Sequence, residues 1–278
     1  MTKYQELERE YANFVGAKHA VTCNTGTAAL HLALMAISVG KGDEVIMPDF
    51  TMAACGFAVS YCGATPVFVD CDDTMNIDVS LIEKKITKKT KAIMAVHIYG
   101  RLCNMKEILR IARKYKLKVI EDACEAQGAV YMSKADITCY SFYENKIIHA
   151  EEGGICTTDN KKYADRMNYL KNMAFDKGHT YFHEDIGYNY RMPNSQAILA
   201  LKSLKDYPKE NKRRRKLEKE AYGGNYLDAV WVLPFAGRKG DNDTRLFFKP
   251  LSSFPMYGGK CQSPNAKKFS KKGWYLKI

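Results

Sequence analysis

The sequence predicts an α/β fold: a mostly parallel central sheet with helices on both faces, plus a small, shortened C-terminal α+β domain. Two observations lead there. From about residue 16 to residue 159, short runs rich in Val and Ile, bounded by Gly, Pro or Asp, alternate with runs whose apolar residues recur at three and four. Strand and helix in alternation imply parallel pairing, with both sheet faces covered. The chain has 278 residues, 46% hydrophobic and 27% charged, enough for one large core or a core plus a smaller domain.

The strands read from these patterns are EVIMP (44–48), TPVFVD (65–70), KAIMAVH (91–97), LKVIED (117–122) and DITCYSF (136–142). Between them, GTAALHLALMAI (26–37), SLIEKKI (80–86) and NMKEILRIARKY (104–115) carry helical periodicity. In the last, Met105, Ile108, Leu109 and Ala112 share one face. After Asn160 the character changes. KKYADRMNYLKNM (161–173) is a helix, and the run 195–222 is helical with a break expected near Pro208. Gly223–Asn225 reads as a breaker, and AVWVLPF (229–235) and TRLFFKPL (244–251) as strands of a second domain. The expected division is residues 1–200, a large cofactor-binding domain, and 201–278, a connecting helix and reduced C-terminal domain.

Composition narrows the function classes. No run approaches the roughly 18–20 apolar residues of a membrane span. The N-terminal stretch is charged and lacks the apolar run of a secretory signal. Nine scattered cysteines form no CxxC pair and suit reduced, buried thiols in a cytoplasmic protein, with no disulfide framework and no metal site. The net charge of +12 comes largely from Lys209–Lys219 and the tail after Lys260. A solvated helix face is the ordinary reading of such a run. Nucleic-acid binding is the sharper one, but no interleaved aromatics, zinc-finger spacing or RNP motif accompany it. A positive surface would also draw a phosphorylated small molecule.

Ligands of parallel sheets bind at the carboxyl ends of the strands, so polar groups just after strands matter most. Four features qualify. In NTGTAALHLAL (24–34), small residues open a helix whose first amides and Thr27 hydroxyl could hold a phosphate; a plain N-cap by Thr25 or Thr27 is the alternative. Asp122 could bind a metal, act as a base, pair with a protonated ring nitrogen or cap a helix. Lys146, in SFYENKIIHAEEGG (141–154), follows a strand end among aromatic and branched residues, as a desolvated, reactive amine must. Gly153 and Gly154 let backbone approach something bulky. GYNYRMPNSQAIL (187–199) is either a loop packing its tyrosines or, through Asn189 and Arg191, a clamp for an anion. A phosphate cradle, an acid for a ring nitrogen and a lysine amine are together what pyridoxal 5′-phosphate requires.

With these residues in view, the sequence resembles the DegT-type sugar aminotransferases, which are fold-type-I pyridoxal phosphate enzymes. The likeness runs from about Tyr4 to Tyr222 and resumes near Thr244. It is carried by GTAALHLAL, GATPVFVD, KVIEDACEAQGA, SFYENKII…EEGG and IGYNYRMPNSQA in the family's order. The lysine segment and the glutamate in EDACEA are most similar to members that aminate a GDP-linked 4-keto-6-deoxymannose. The resemblance implies that Lys146 joins the cofactor covalently and shuttles protons, and that Asp122 holds the pyridine nitrogen protonated. Glu125 would lie near the phenolic oxygen. Gly26, Thr27 and Ser141 would bind the phosphate, with Asn189 reaching it from the other subunit of a homodimer. Met52 would take the place of an aromatic residue stacked on the ring, and His183 and Arg245 would face the substrate. It implies amino transfer from glutamate to a nucleotide-linked keto sugar for polysaccharide biosynthesis, with no nucleic acid or membrane as partner; the alternative is a catalytically weak dimer partner. Departures are Gln127 for a common histidine, Glu151 for a glycine, and less chain between Tyr222 and Asp241 than the family's small domain uses.

Overall fold

The computed structural model describes residues 1–176, 178, 181–236 and 244–278. The first three residues of the segment that starts at Asp241 therefore lie outside the described residues. Seven strands form one sheet: β1 (His19–Cys23), β2 (Glu44–Pro48), β3 (Thr65–Val69), β4 (Thr90–Val96), β5 (Lys118–Asp122), β6 (Ile137–Ser141) and β7 (Gly154–Thr158). Their order is β1-β7-β6-β5-β4-β2-β3. The pairs from β3 through β2, β4 and β5 to β6 are parallel, and β7 runs antiparallel to both β6 and β1.

Alternation along the strands divides the core between two layers. Val45 and Met47 of β2, and Ala92 and Met94 of β4, enter the larger cluster. Ile46, Ile93 and Ala95 enter the smaller one on the opposite face. The larger layer holds α1 (Lys3–Val15), α2 (Gly26–Ala36), α3 (Ala53–Tyr61) and α6 (Lys161–Lys171); the smaller holds α4 (Val79–Ile82) and α5 (Met105–Tyr115). A capping box starts α1: the Thr2 hydroxyl accepts from the Gln5 amide, and the Gln5 side chain accepts from the Thr2 amide. The strongly amphipathic α5 turns Ile108, Ile111 and Ala112 inward. The run 80–86 forms only the short α4 and one 3-10 turn.

Two readings of the C-terminal region change. Helix α7 (Asn194–Tyr222) continues through Pro208. Proline costs one hydrogen bond, to the Leu204 carbonyl, but Pro208 is exposed, where water can serve that carbonyl. The helix is held on both sides of the defect. Tyr207 meets Phe14 of α1 edge-on at 5.0 Å, and Arg214 and Arg215 brace the far half. The basic run is therefore more than a solvated face. Arg214 is buried and donates to the carbonyls of Val230 (3.4 Å) and Trp231 (2.7 Å), and Arg215 donates to those of Leu227 (2.6 Å) and Asp228 (2.5 Å). Gly223 ends α7 in the left-handed conformation, as a breaker should.

Beyond it, β8 (Val232–Ala236), β9 (Thr244–Leu246) and β10 (Gly273–Lys277) form a small antiparallel sheet in the order β8-β10-β9, with α8 (Pro264–Lys272) leading into β10. Leu227, Val230 and Leu233 make a satellite core, while Trp231, Phe247, Leu251 and Ala266 join the main one. All nine cysteines are free thiols. Among the described residues no helix is long and apolar enough to cross a membrane.

Candidate active site

At the carboxyl ends of β4, β5 and β6, against the start of α2, lies a cavity of about 400 Å³. It brings together Gly26, Thr27, Met52, Asp122, Glu125, Ser141 and Lys146, seven of the residues singled out by sequence. Thr25 is the N-cap of α2, its hydroxyl accepting from the Ala28 amide at 3.0 Å. That cap leaves the amides of Gly26 and Thr27 without an intrahelical partner, as the first turn of a helix does. The cap and the anion cradle are thus one structure, not alternatives. Ser141 closes it: a Cβ on Gly26 would stand 2.7 Å from Ser141 Cβ. Gly154 pairs with Ser141 across β6 and β7, and its own Cβ would stand 2.3 Å from the Thr25 carbonyl oxygen. The bulky neighbour that Gly154 admits is therefore the cap of α2.

The antiparallel turn from β6 to β7 carries Lys146. Gln127 holds that loop. Its side-chain amide donates to the carbonyls of Ser141 (3.0 Å) and Ile148 (2.9 Å), and its oxygen accepts from the Ile148 amide (2.7 Å). Gln127 is buried. Gln127→Met should leave these three backbone groups unpaired and lower stability by about 2–3 kcal/mol, read from the urea midpoint. Glu151, on the same loop, has a φ of 63°, the left-handed region that its comparison with a glycine anticipated. Its side chain is exposed. Glu151→Gly should therefore raise stability by about 0.5–1 kcal/mol, visible as a higher thermal midpoint.

Asp122 and Glu121 are neighbours at the end of β5, but their side chains take opposite faces. Asp122 enters the cavity. Its Oδ1 accepts from the Cys124 amide (3.0 Å) and its Oδ2 from the Cys55 thiol (3.1 Å). Glu121 turns away into a buried network, accepting from His97 Nε2 (2.8 Å), Thr138 Oγ1 (3.0 Å) and the Ser133 hydroxyl. The Cys103 amide donates to His97 Nδ1, so the imidazole proton sits on Nε2 and points at Glu121. Glu125 is buried. Burial pushes its carboxyl up to about 7, against the pull of Lys146 and of the Tyr99 amide that donates to Oε2 at 2.8 Å.

Three residues named from the sequence lie elsewhere. Asn189 lines a separate cavity of about 690 Å³ with Asn172 and Arg191. His183 is exposed, its Nδ1 2.8 Å from the Met173 carbonyl. Arg245 is exposed on β9, opposite Tyr275. The tyrosines of 187–190 do pack: Tyr188 and Tyr190 stack at 5.1 Å, and the Tyr190 hydroxyl lies 3.2 Å from His31 Nδ1.

Residues 2–227 match the DegT/DnrJ/EryC1/StrS aminotransferase family. The chain belongs to that family. It is 48% identical over 205 residues to the GDP-perosamine synthase of Caulobacter vibrioides, a match covering 72% of this chain and 55% of that protein. To the GDP-perosamine synthase of Escherichia coli O157:H7 it is 37% identical over 290 residues, covering 93% of this chain and 79% of the relative. The chain thus spans little more than half the length of the first relative and about four-fifths of the second. Relatives named for dTDP- and UDP-linked sugars match as well, each at 42% identity. Among solved structures, DesV of S. venezuelae superposes with a TM-score of 0.92 at 30% identity, covering all of this chain and 84% of that one.

The family's cofactor is pyridoxal phosphate, and the residues of the cavity fit it. The α2 amides and Ser141 offer donors to an anion, Asp122 offers a carboxylate and Lys146 an amine, all on one wall-to-wall space. Sequence reasoning missed part of the wall. Trp231, Phe248 and Tyr275 come from the C-terminal segment and line the same cavity. Nothing local marks them: AVWVLPF reads as a strand, and the contact exists only once the chain has folded back. Cys55 was missed too, because α3 has no polar face to reveal its register. Among the described residues no cluster of three or more His, Cys, Asp or Glu could hold a metal.

Proposed function

We propose that the chain is a pyridoxal phosphate-dependent aminotransferase acting on a nucleotide-linked 4-keto-6-deoxy sugar, GDP-4-keto-6-deoxymannose first, with glutamate as amino donor. The observation that carries this reading is the buried Lys146 amine in one cavity with Asp122 and the open amides of α2. The bound cofactor supplies an electron sink for charge developing at the substrate carbon. Lys146 delivers and removes the proton at that carbon, from a site where water is scarce. Asp122, anchored by Cys55 and the Cys124 amide, keeps the ring nitrogen protonated. Gly26, Thr27 and Ser141 would hold the phosphate, Met52 would cover the ring and Glu125 would serve its phenolic oxygen. The homodimer belongs to the same proposal: Asn189, absent from its own chain's cavity, would reach the phosphate held by a partner copy. His183 and Arg245 serve the substrate. The GDP preference is supported by the two relatives named GDP-perosamine synthase.

The test is incubation with pyridoxal phosphate, glutamate and a panel of GDP-, dTDP- and UDP-linked keto sugars while 2-oxoglutarate is followed. The expected result is fastest release with the GDP-linked 4-keto sugar. Cofactor uptake without 2-oxoglutarate from any sugar overturns the catalytic reading and leaves a sugar-nucleotide-binding dimer partner.

A further inference from the structure

We propose that the edge of the seven-stranded sheet opposite the catalytic cavity is a docking surface for an anionic lipid bilayer. The cavity lies at the carboxyl ends of the parallel strands, and their amino ends lie a strand's length away, about 15 Å. Because β7 is antiparallel to both β1 and β6, these two run the same way, so β1, β6, β5, β4 and β2 all begin on that far edge. Each begins within three residues of an exposed lysine: Lys18 before β1, Lys134 before β6, Lys116 before β5, Lys88 and Lys89 before β4, and Lys41 before β2. At ordinary strand spacing the row extends about 24 Å across the sheet. Lys116 closes α5 with a φ of 56°, a left-handed cap that glycine fills at lower energy.

Neighbouring carboxylates do not neutralise the row. Glu83 pairs with Arg110 and Lys114, and Asp136 with Lys118. Glu44 accepts from the Thr87 hydroxyl, Asp43 from the Gly40 amide and Asp159 from the Lys18 amide. Among the described residues the ion pairs of this edge use none of the six exposed lysines. Their charge is thus available to a negative surface, with a reach of roughly a Debye length, about 10 Å at 0.1 M salt.

Tyr131 and Met132 favour a bilayer over another polyanion. They stand at the β1–β6 end of the row, where the Met132 amide donates to the Val15 carbonyl (2.8 Å). Their side chains are 64% and 52% exposed. A nucleic-acid backbone offers phosphates and no apolar medium. The headgroup region offers both, and takes basic residues together with exposed apolar and aromatic ones. The row itself holds lysines and no arginine, so it presents point charges and not the fork that reads a base. A chain docked by this edge keeps its cavity facing water, open to a soluble substrate. Neither the aminotransferase reading nor the basic run of α7 enters the inference.

Sedimentation of the full chain with vesicles tests it. Wild type should bind vesicles of equal parts phosphatidylglycerol and phosphatidylcholine at about 0.1 M salt, ignore pure phosphatidylcholine, and release as salt rises. Lys88→Gln, Lys89→Gln, Lys116→Gln and Lys134→Gln together should weaken binding about a hundredfold. Lys267→Gln, Lys268→Gln, Lys271→Gln and Lys272→Gln remove the same charge from α8. That helix begins on the catalytic side, where Asp70, just after β3, accepts from the Asn265 (3.0 Å) and Ala266 (2.9 Å) amides. This set should weaken binding less than about threefold. Tyr131→Ser with Met132→Ser should weaken vesicle binding about 5- to 30-fold and leave binding to a mixed-sequence DNA duplex unchanged. Failure of wild type to sediment, or equal losses from the two lysine sets, overturns the proposal. So does tighter binding to the duplex than to vesicles, which makes the edge a nucleic-acid surface. Release by inorganic phosphate beyond that by chloride of equal ionic strength overturns it too, in favour of a site for free phosphate. Near-ultraviolet circular dichroism confirms each fold; if the four-lysine variant does not fold, Lys88→Gln with Lys89→Gln decides, with a loss of about tenfold expected.

Discussion

Lys146→Ala is expected to slow amino transfer by about a thousand- to ten-thousandfold while leaving the protein folded. The size follows from what the side chain does on the proposed reading: it is both the covalent anchor and the group that moves the proton. The tolerance follows from how the loop is built. Its hydrogen bonds run through backbone and through the side chains of Gln127, Trp231 and Ser203, not through the lysine amine. Its backbone amide, which donates to the Tyr143 carbonyl at 2.9 Å, is unaffected by the substitution. Lys146→Arg should not restore the rate, because a guanidinium stays charged and offers no neutral amine. Turnover by 2-oxoglutarate release and the thermal midpoint check the two halves. Activity within tenfold of wild type in the Ala variant would remove Lys146 from the chemistry.

Glu121→Ala is expected to cost about 3–5 kcal/mol of stability. Three donors from His97, Ser133 and Thr138 converge on this carboxylate, and removing it leaves them stranded in the sheet. The effect has a pH signature. Burial alone would raise the Glu121 carboxyl, but these hydrogen bonds outweigh it and hold the group below its ordinary value of 4.5. The folded chain thus favours the charged form. The stabilisation is fully present above the unfolded value and fades as pH falls through the lower folded one. The gap between wild type and Glu121→Ala in urea midpoint should be widest at neutral pH and shrink in acid below 4.5. A gap that is constant with pH would show that the lost packing, not the charge, accounts for the cost.

The five strands read from sequence appear because each is a Val- or Ile-bearing run with a sharp boundary, the signature of burial on both faces. β1 (HAVTC) and β7 (GICTT) were not read. Cys and Thr dilute their apolar character, and β7 begins within the glycines that also looked like loop. Helix α3 (AACGFAVSY) has no polar stripe to betray its period. Pro208 misled because the local cost of proline was weighed without the tertiary contacts on either side. At the cavity, the groups that follow strands were legible, since a parallel sheet gathers them at one edge. Alternation had to be applied to separate Asp122 from Glu121. Trp231 was out of reach: it lies far along the chain from Lys146, and its place depends on Arg214, on the Gly100 carbonyl that accepts from the Ala229 amide and on Asp228, which accepts from the Leu102 amide; no short window joins these.

The same wiring bears on how the protein comes into being. The ceiling over the Lys146 amine is supplied by residues 231, 248 and 275, whereas its floor is complete by residue 154. During synthesis, then, the lysine and its neighbours would stay open to solvent until the stretch that carries residues 231, 248 and 275 has emerged and folded back to place the roof.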